Sequence, residues 1–254
     1  MSGALMEMLD NRKTIVTGAA QGIGRAIVDR FIQEGASVLA IDIKAMESLK
    51  ADYPSSAALT CLQLDIREQN APAVMMKEVA DRLGGLDVVV NNAGIAKYQP
   101  VFDTDDQAWN EVIAVNLTAV FRICREAIPL LKKSPAGRII NIGSIMSTFG
   151  DTGLAAYAAS KHGVAGLTKC LASELGEFGI TANFIQPGAI LTDITRDSID
   201  KYPEMEVFWR QKSALGRWGE PTDIAPVTLF LASDCGAFVS GTGLVADGAA
   251  MQAP

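Results

Sequence analysis

Tyr157 and Lys161 stand four residues apart in Tyr157-Ala158-Ala159-Ser160-Lys161, within a stretch whose apolar spacing predicts a helix. Side chains four apart on a helix project from the same face, so the phenol and the ammonium can meet. A phenol of pKa ~10 is a weak base at neutral pH, and lowering it by ~3 units takes roughly 4 kcal/mol of preferential stabilisation of the phenolate. A cation ~4 Å away supplies about that much at an effective dielectric of about 20, before desolvation. The chemistry this pair suits is proton exchange with a hydroxyl or carbonyl. Ser144, just past an apolar run, can hydrogen-bond the substrate oxygen as negative charge develops there, or simply cap a strand end. Asn116, flanked by Val115 and Leu117, is either a satisfied core amide or the holder of a water that passes protons to Lys161.

A second constellation lies near the start of the chain. Thr17-Gly18-Ala19-Ala20-Gln21-Gly22-Ile23-Gly24 follows an apolar run and leads into a helical pattern. Glycines there let the backbone approach a pyrophosphate, and the free amides and dipole of the helix favour its charge. Without a ligand the same residues make a tight strand-to-helix turn. Asp42 closes the next predicted strand, where a carboxylate can accept from both ribose hydroxyls of an adenosine. Its charge would repel a 2'-phosphate, so NAD is expected over NADP, a preference softened by Lys44. Asp65, ending the third strand, can lie along an adenine edge or form a turn. Asn91-Asn92-Ala93-Gly94 follows the fourth strand, where small residues let a cofactor pass.

Positioning these residues requires alternating strands and helices. Apolar, β-branched runs predict strands at Thr14–Thr17, Ser37–Asp42, Leu59–Leu64, Leu86–Asn91, Gly137–Gly143, Ile180–Gln186 and Gly243–Ala246. Helical spacing covers Ile23–Glu34, Ala71–Leu83, Gln107–Lys132 and Ala155–Phe178, and Pro221 opens Ile224–Ala232. The pattern predicts an α/β, doubly wound, three-layer sandwich with a seven-stranded parallel sheet and helices on both faces. In the fourth helix Val164, Leu167, Leu171 and Leu175 form a core stripe, while Ala158, Ala165 and Ala172 form a small-residue stripe expected at a subunit interface. Ala189 to Arg217 carries no strand pattern and is expected to be an irregular lid.

Composition narrows the function classes. The 254 residues, 49% hydrophobic and 20% charged, suit one domain (1–254) without low-complexity tracts or repeats. A net charge of -7 and no basic cluster argue against nucleic acid or an anionic membrane. Four scattered cysteines and the single His162 form neither a zinc motif nor a disulfide framework, so no metal is expected. With no cationic-then-apolar leader and no long apolar run, the chain reads as cytoplasmic.

In this order, Thr17-Gly18…Gly22…Gly24, Asp42, Asp65, Asn91 to Gly94, Asn116, Ser144, Tyr157 and Lys161 resemble the short-chain dehydrogenase/reductase family. The resemblance continues through Pro187-Gly188…Thr192 and Gly241-Thr242-Gly243…Asp247-Gly248, and so spans nearly the whole chain. It implies a Rossmann-like fold and a catalytic tetrad of Asn116, Ser144, Tyr157 and Lys161. It implies cofactor contacts from Gly18, Gln21, Gly22, Ile23, Gly24, Asp42, Asp65, Ile66, Asn92, Ala93, Gly94, Tyr157, Lys161, Pro187, Gly188, Ile190 and Thr192. It also implies a homotetramer paired through Gln107–Lys132 and Ala155–Phe178. Ala249 departs from the pattern, for many relatives have a third glycine after Asp247-Gly248.

The leading expectation is an NAD-dependent oxidoreductase that interconverts a small-molecule secondary alcohol and its ketone. Ser147, Thr148, Phe149, Tyr98, Tyr202, Phe208 and Trp209 would wall a partly apolar substrate. Two alternatives stand beside it: a β-ketoacyl thioester reductase, against which Asp42 and Gln21 count, and an NAD-sensing module with no reaction, against which the complete tetrad counts.

Overall fold

A computed structural model of the chain describes residues 7–54 and 58–252 and, at positions 194, 197 and 198, the backbone alone. Seven strands form one parallel sheet in the order β3-β2-β1-β4-β5-β6-β7. They are β1 (Lys13–Thr17), β2 (Ser37–Asp42), β3 (Leu59–Gln63), β4 (Val88–Asn91), β5 (Arg138–Ile142), β6 (Thr181–Pro187) and β7 (Gly243–Ala246). The helices are α1 (Gly22–Gln33), α2 (Glu47–Asp52), α3 (Ala71–Glu78), α4 (Asp106–Ile113), α5 (Val120–Leu131), α6 (Ala155–Leu175), α7 (Asp193–Lys201), α8 (Glu204–Lys212) and α9 (Pro221–Ala232).

The three layers follow from strand alternation. Successive side chains point to opposite sheet faces, so in β1 Ile15 joins the core beneath α5 and α6 while Val16 joins the one beneath α1 and α9. In β2, Val38 and Ala40 serve the α1 side, and Leu39 and Ile41 the other. Strands covered on both faces read as unbroken apolar runs, as in Val88-Val89-Val90. Pro221 occupies the first turn of α9, and Glu220 and Asp223 cap its amides reciprocally.

Several expectations change. The long helix foreseen from Gln107 is two helices joined by a π turn over Ala114–Ala119, which contains Asn116. The stretch 189–217 is not irregular, because α7 and α8 fill it and buried Trp218 ties it down by donating to the Glu206 carbonyl at 3.0 Å. Two members of the alanine stripe, Ala158 and Ala165, are already buried within the chain at 8% and 6% exposure, and Ala172 is half-buried. The exposed face of α6 instead carries Ala159, His162, Gly166, Lys169 and Cys170.

Ala249 has φ 63°, a left-handed conformation that crowds its Cβ, at the position where the family pattern has glycine. Ala249→Gly is therefore expected to stabilise the fold by about 0.5–1 kcal/mol, the relief of strain exceeding glycine's entropic cost. Urea unfolding should show a higher midpoint with an unchanged slope.

No helix among the described residues is long and apolar enough to cross a membrane. No group of three or more His, Cys, Asp or Glu among them could hold a metal ion.

Candidate active site

The growth of the sheet reverses direction between β1 and β4, and the loops leaving their carboxyl ends splay apart to leave a crevice. A cleft of about 490 Å³ opens there. Gly18 (φ 68°) packs against the loop after β4, where a Cβ would lie 2.8 Å from Ala93 Cα. Gly22 (φ 57°) begins α1, whose N-terminus has no side-chain cap, so its first amides remain available at the cleft wall. Gly24 does not line the cleft. A Cβ on it would stand 2.0 Å from the Gly18 carbonyl oxygen, so its role is close packing of the turn on its own helix. Asn92 buckles the same turn by donating to the Thr17 and Gly18 carbonyls at 2.9 and 3.1 Å, while Thr17 Oγ1 accepts from the Asn92 and Ala93 amides.

Asp42 lies on the cleft wall with its carboxylate held in place: Oδ2 accepts from the Ala20 amide at 2.9 Å and Oδ1 from the Lys44 amide at 2.8 Å. Lys44 Nζ donates to Gln21 Oε1 at 2.7 Å instead of pairing with Asp42. Asp65 and Ile66 line the far end, and Asp65 is held by the Arg67 guanidinium, which keeps its carboxyl below the usual range. Pro187, Gly188, Ile190 and Thr192 line the opposite side.

At the inner end Ser144, Tyr157 and Lys161 converge. Ser144 leaves β5 in a tight turn in which its Oγ accepts from the Met146 amide at 3.1 Å, and its hydroxyl acts to lower the Tyr157 phenol. Lys161 is 4% exposed, donates to the Ile142 carbonyl at 2.7 Å, and has Nζ 5.5 Å from the Tyr157 ring centre. Burial lowers its pKa to about 8. Desolvation raises the Tyr157 phenol, and the Ser144 hydrogen bond pulls the other way. Lys161 is not among the groups that act on the phenol here, and burial outweighs the lowering expected from the helical pair.

Asn116 does not line the cleft. Its amide is spent on the Ile95 backbone, accepting from N and donating to O at 2.9 Å each, and on Ser160 Oγ at 3.1 Å. It approaches Lys161 only through Gly94, where an added Cβ would sit 3.4 Å from Asn116 Oδ1 and 3.6 Å from Lys161 Nζ. The side-chain amide is thus satisfied within the core. Ser147 is likewise committed, accepting from the Ser144 amide. Sequence reasoning passed over Ile142, Val115, Arg67, Glu111 and Thr195. Thr195 carried a readable signal in its spacing from Thr192, whose amide donates to Thr195 Oγ1 at 2.8 Å.

A family model described as enoyl-(acyl carrier protein) reductase matches residues 18–249. The chain belongs to the short-chain dehydrogenase/reductase family. The 3-oxoacyl-(acyl-carrier-protein) reductase of Vibrio harveyi is 34% identical over 94% of this chain and 97% of its own length. The corresponding reductase of Staphylococcus aureus is 37% identical over 91% and 94%. Among solved structures, the Thermoplasma acidophilum aldohexose dehydrogenase superposes with a TM-score of 0.89 at 29% identity over 97% of this chain and 96% of that one. A Brucella melitensis short-chain dehydrogenase/reductase described as glucose/ribitol dehydrogenase gives 0.89 at 29%, over 97% and 99%. As a short-chain dehydrogenase/reductase, the protein is an oxidoreductase with a Rossmann-like fold that uses NAD or NADP on a small-molecule substrate.

Proposed function

We propose that this short-chain dehydrogenase/reductase interconverts a secondary alcohol and its ketone with NAD as the preferred cofactor, in the cytoplasm and as a homotetramer. The observation that carries the reading is the convergence of Ser144, Tyr157 and Lys161 at the inner end of the cleft that begins at the uncapped N-terminus of α1. The residues fit a dinucleotide: the Gly18–Gly22 turn and the α1 amides for the pyrophosphate, Asp42 for the ribose, and Pro187 to Thr192 beside the ring. When bound, the nicotinamide supplies or accepts the hydride. Ser144 orients the substrate oxygen, and Tyr157, protonated as the buried phenol favours, gives it a proton in the reductive direction. Lys161, charged below about pH 8, stabilises the phenolate left behind. Reduction should therefore slow as pH rises through these groups, and oxidation should quicken.

A 3-oxoacyl thioester is the second substrate class, favoured by the curated relatives. Against it stands Asp42, fixed by two amides where a 2'-phosphate would have to fit. Asp42→Ala should narrow the NAD-over-NADP ratio of kcat/KM by at least about tenfold, since Lys44 then faces the phosphate without a competing carboxylate. An unchanged ratio would show that another group discriminates. The test of the whole reading follows reduced-nicotinamide absorbance with polyols, hydroxysteroids, simple secondary alcohols and a 3-oxoacyl thioester, each with both cofactors. Turnover of alcohols with NAD supports it, and turnover of the thioester alone moves the assignment to the second class.

A further inference from the structure

Beyond the glycine turn and Asp42, the cleft ends in an ion chain that neither the catalytic residues nor the pyrophosphate cradle uses. Arg67 donates to Asp65 through Nε and Nη2, at 2.9 and 2.6 Å to Oδ2, and its backbone amide also reaches Oδ1 at 2.9 Å. On its other side Arg67 Nη1 lies 3.7 Å from Glu111 Oε1, and Glu111 is in turn paired with Lys97. Three segments are thereby joined across the end of the cleft: the loop after β3, the loop after β4, and α4. Two carboxylates and two cations leave the assembly electrically neutral.

A guanidinium is planar and makes its hydrogen bonds in that plane. Asp65 takes two hydrogen bonds along the guanidinium edge, and Arg67, 40% exposed at its side chain, is on the cleft wall. The only aromatic residue among those lining the cleft is Tyr157, at the opposite end, so the remaining walls here are aliphatic, from Ile43, Leu64, Ile66 and Val115. Nucleobases stack on guanidinium planes as well as on aromatic rings. The carboxylate of Asp65, meanwhile, already has Arg67 donors on both oxygens.

We infer that Arg67, hydrogen-bonded along its edge by Asp65 and ion-paired with Glu111, is the stacking platform for the adenine of the cofactor, and that Asp65 acts chiefly by fixing its plane. The inference rests on the nicotinamide-cofactor reading above and identifies the group that selects a flat, neutral base at the adenosine end. It explains why both carboxylates here are compensated, since a neutral base gains nothing from net charge.

The test is equilibrium binding by titration calorimetry, using ADP-ribose and, separately, reduced nicotinamide mononucleotide, with wild type, Arg67→Met and Arg67→Lys. Met preserves length without the plane, and Lys preserves the charge without the plane. Both variants are expected to bind ADP-ribose about fivefold to tenfold more weakly, with mononucleotide affinity unchanged and the ligand-free melting midpoint unaltered. Wild-type affinity in Arg67→Met overturns the inference, and so does full rescue by Arg67→Lys, which would make Arg67 a point charge for the phosphates. If wild type binds neither ADP-ribose nor NADH, the functional reading fails and this inference with it. Normal wild-type binding with indifferent variants removes the inference alone.

Discussion

Tyr157→Phe should reduce turnover by about a thousandfold while leaving NADH affinity within about twofold of wild type. The substitution removes one oxygen from a group beside Ser144 at the end of the cleft, without altering the ring that helps wall it. General acid catalysis by a positioned side chain is worth roughly 10²–10⁴ in rate, and Lys161, turned to the Ile142 carbonyl, does not stand in as the acid. Steady-state kinetics in the reductive direction, beside NADH fluorescence titration, separate the two effects. Retained turnover would remove Tyr157 from proton transfer, and lost NADH binding would mean the ring, not the oxygen, is what matters.

Lys161→Met should also abolish turnover, and should make the protein more stable. Lys161 is 4% exposed with a pKa brought from 10.5 to about 8 by desolvation, so keeping it charged at pH 7 costs the fold about 3 kcal/mol. Some of that is returned by its bond to Ile142, leaving an expected net gain of about 1–2 kcal/mol on substitution. The sign can be checked against pH. Between about 8 and 10.5 the unfolded chain binds the proton that the folded chain has released, so wild-type stability rises with pH across that window. The advantage of the variant must shrink over the same range and be fullest below it. Thermal melts of both proteins at pH 7, 9 and 10.5 decide the matter, and a variant that melts lower at neutral pH would show that the carbonyl bond outweighs burial.

The inner strands were legible because they are short apolar runs buried on both faces, as in Val88-Val89-Val90. The glycine turn, Asp42 and the Tyr157–Lys161 pair were legible because backbone angles, strand ends and helical spacing are local properties. What escaped was set by tertiary environment. Asp193–Lys201 carries apolar residues only at Ile194 and Ile199, too few for a stripe to stand out among its polar neighbours. The Ala158 and Ala165 stripe looks the same in sequence whether it meets a neighbouring subunit or its own sheet. The direction of the Tyr157 shift depends on how much water the folded chain excludes, and Asn116 found its partners in Ile95, 21 residues earlier, through a π turn that spacing rules do not anticipate.

The cleft draws its walls from both halves of the sheet, from Gly18 and Asp42 on one side of the switch between β1 and β4 to Ser144, Tyr157 and Thr192 on the other. Such a site exists only in the folded chain, so whatever fills it withdraws molecules from the unfolded pool. A ligand at a hundred times its dissociation constant adds about 2.7 kcal/mol to stability. The cellular lifetime of this enzyme should therefore track the supply of its cofactor, with depletion exposing it to proteolysis before any lack of substrate is felt.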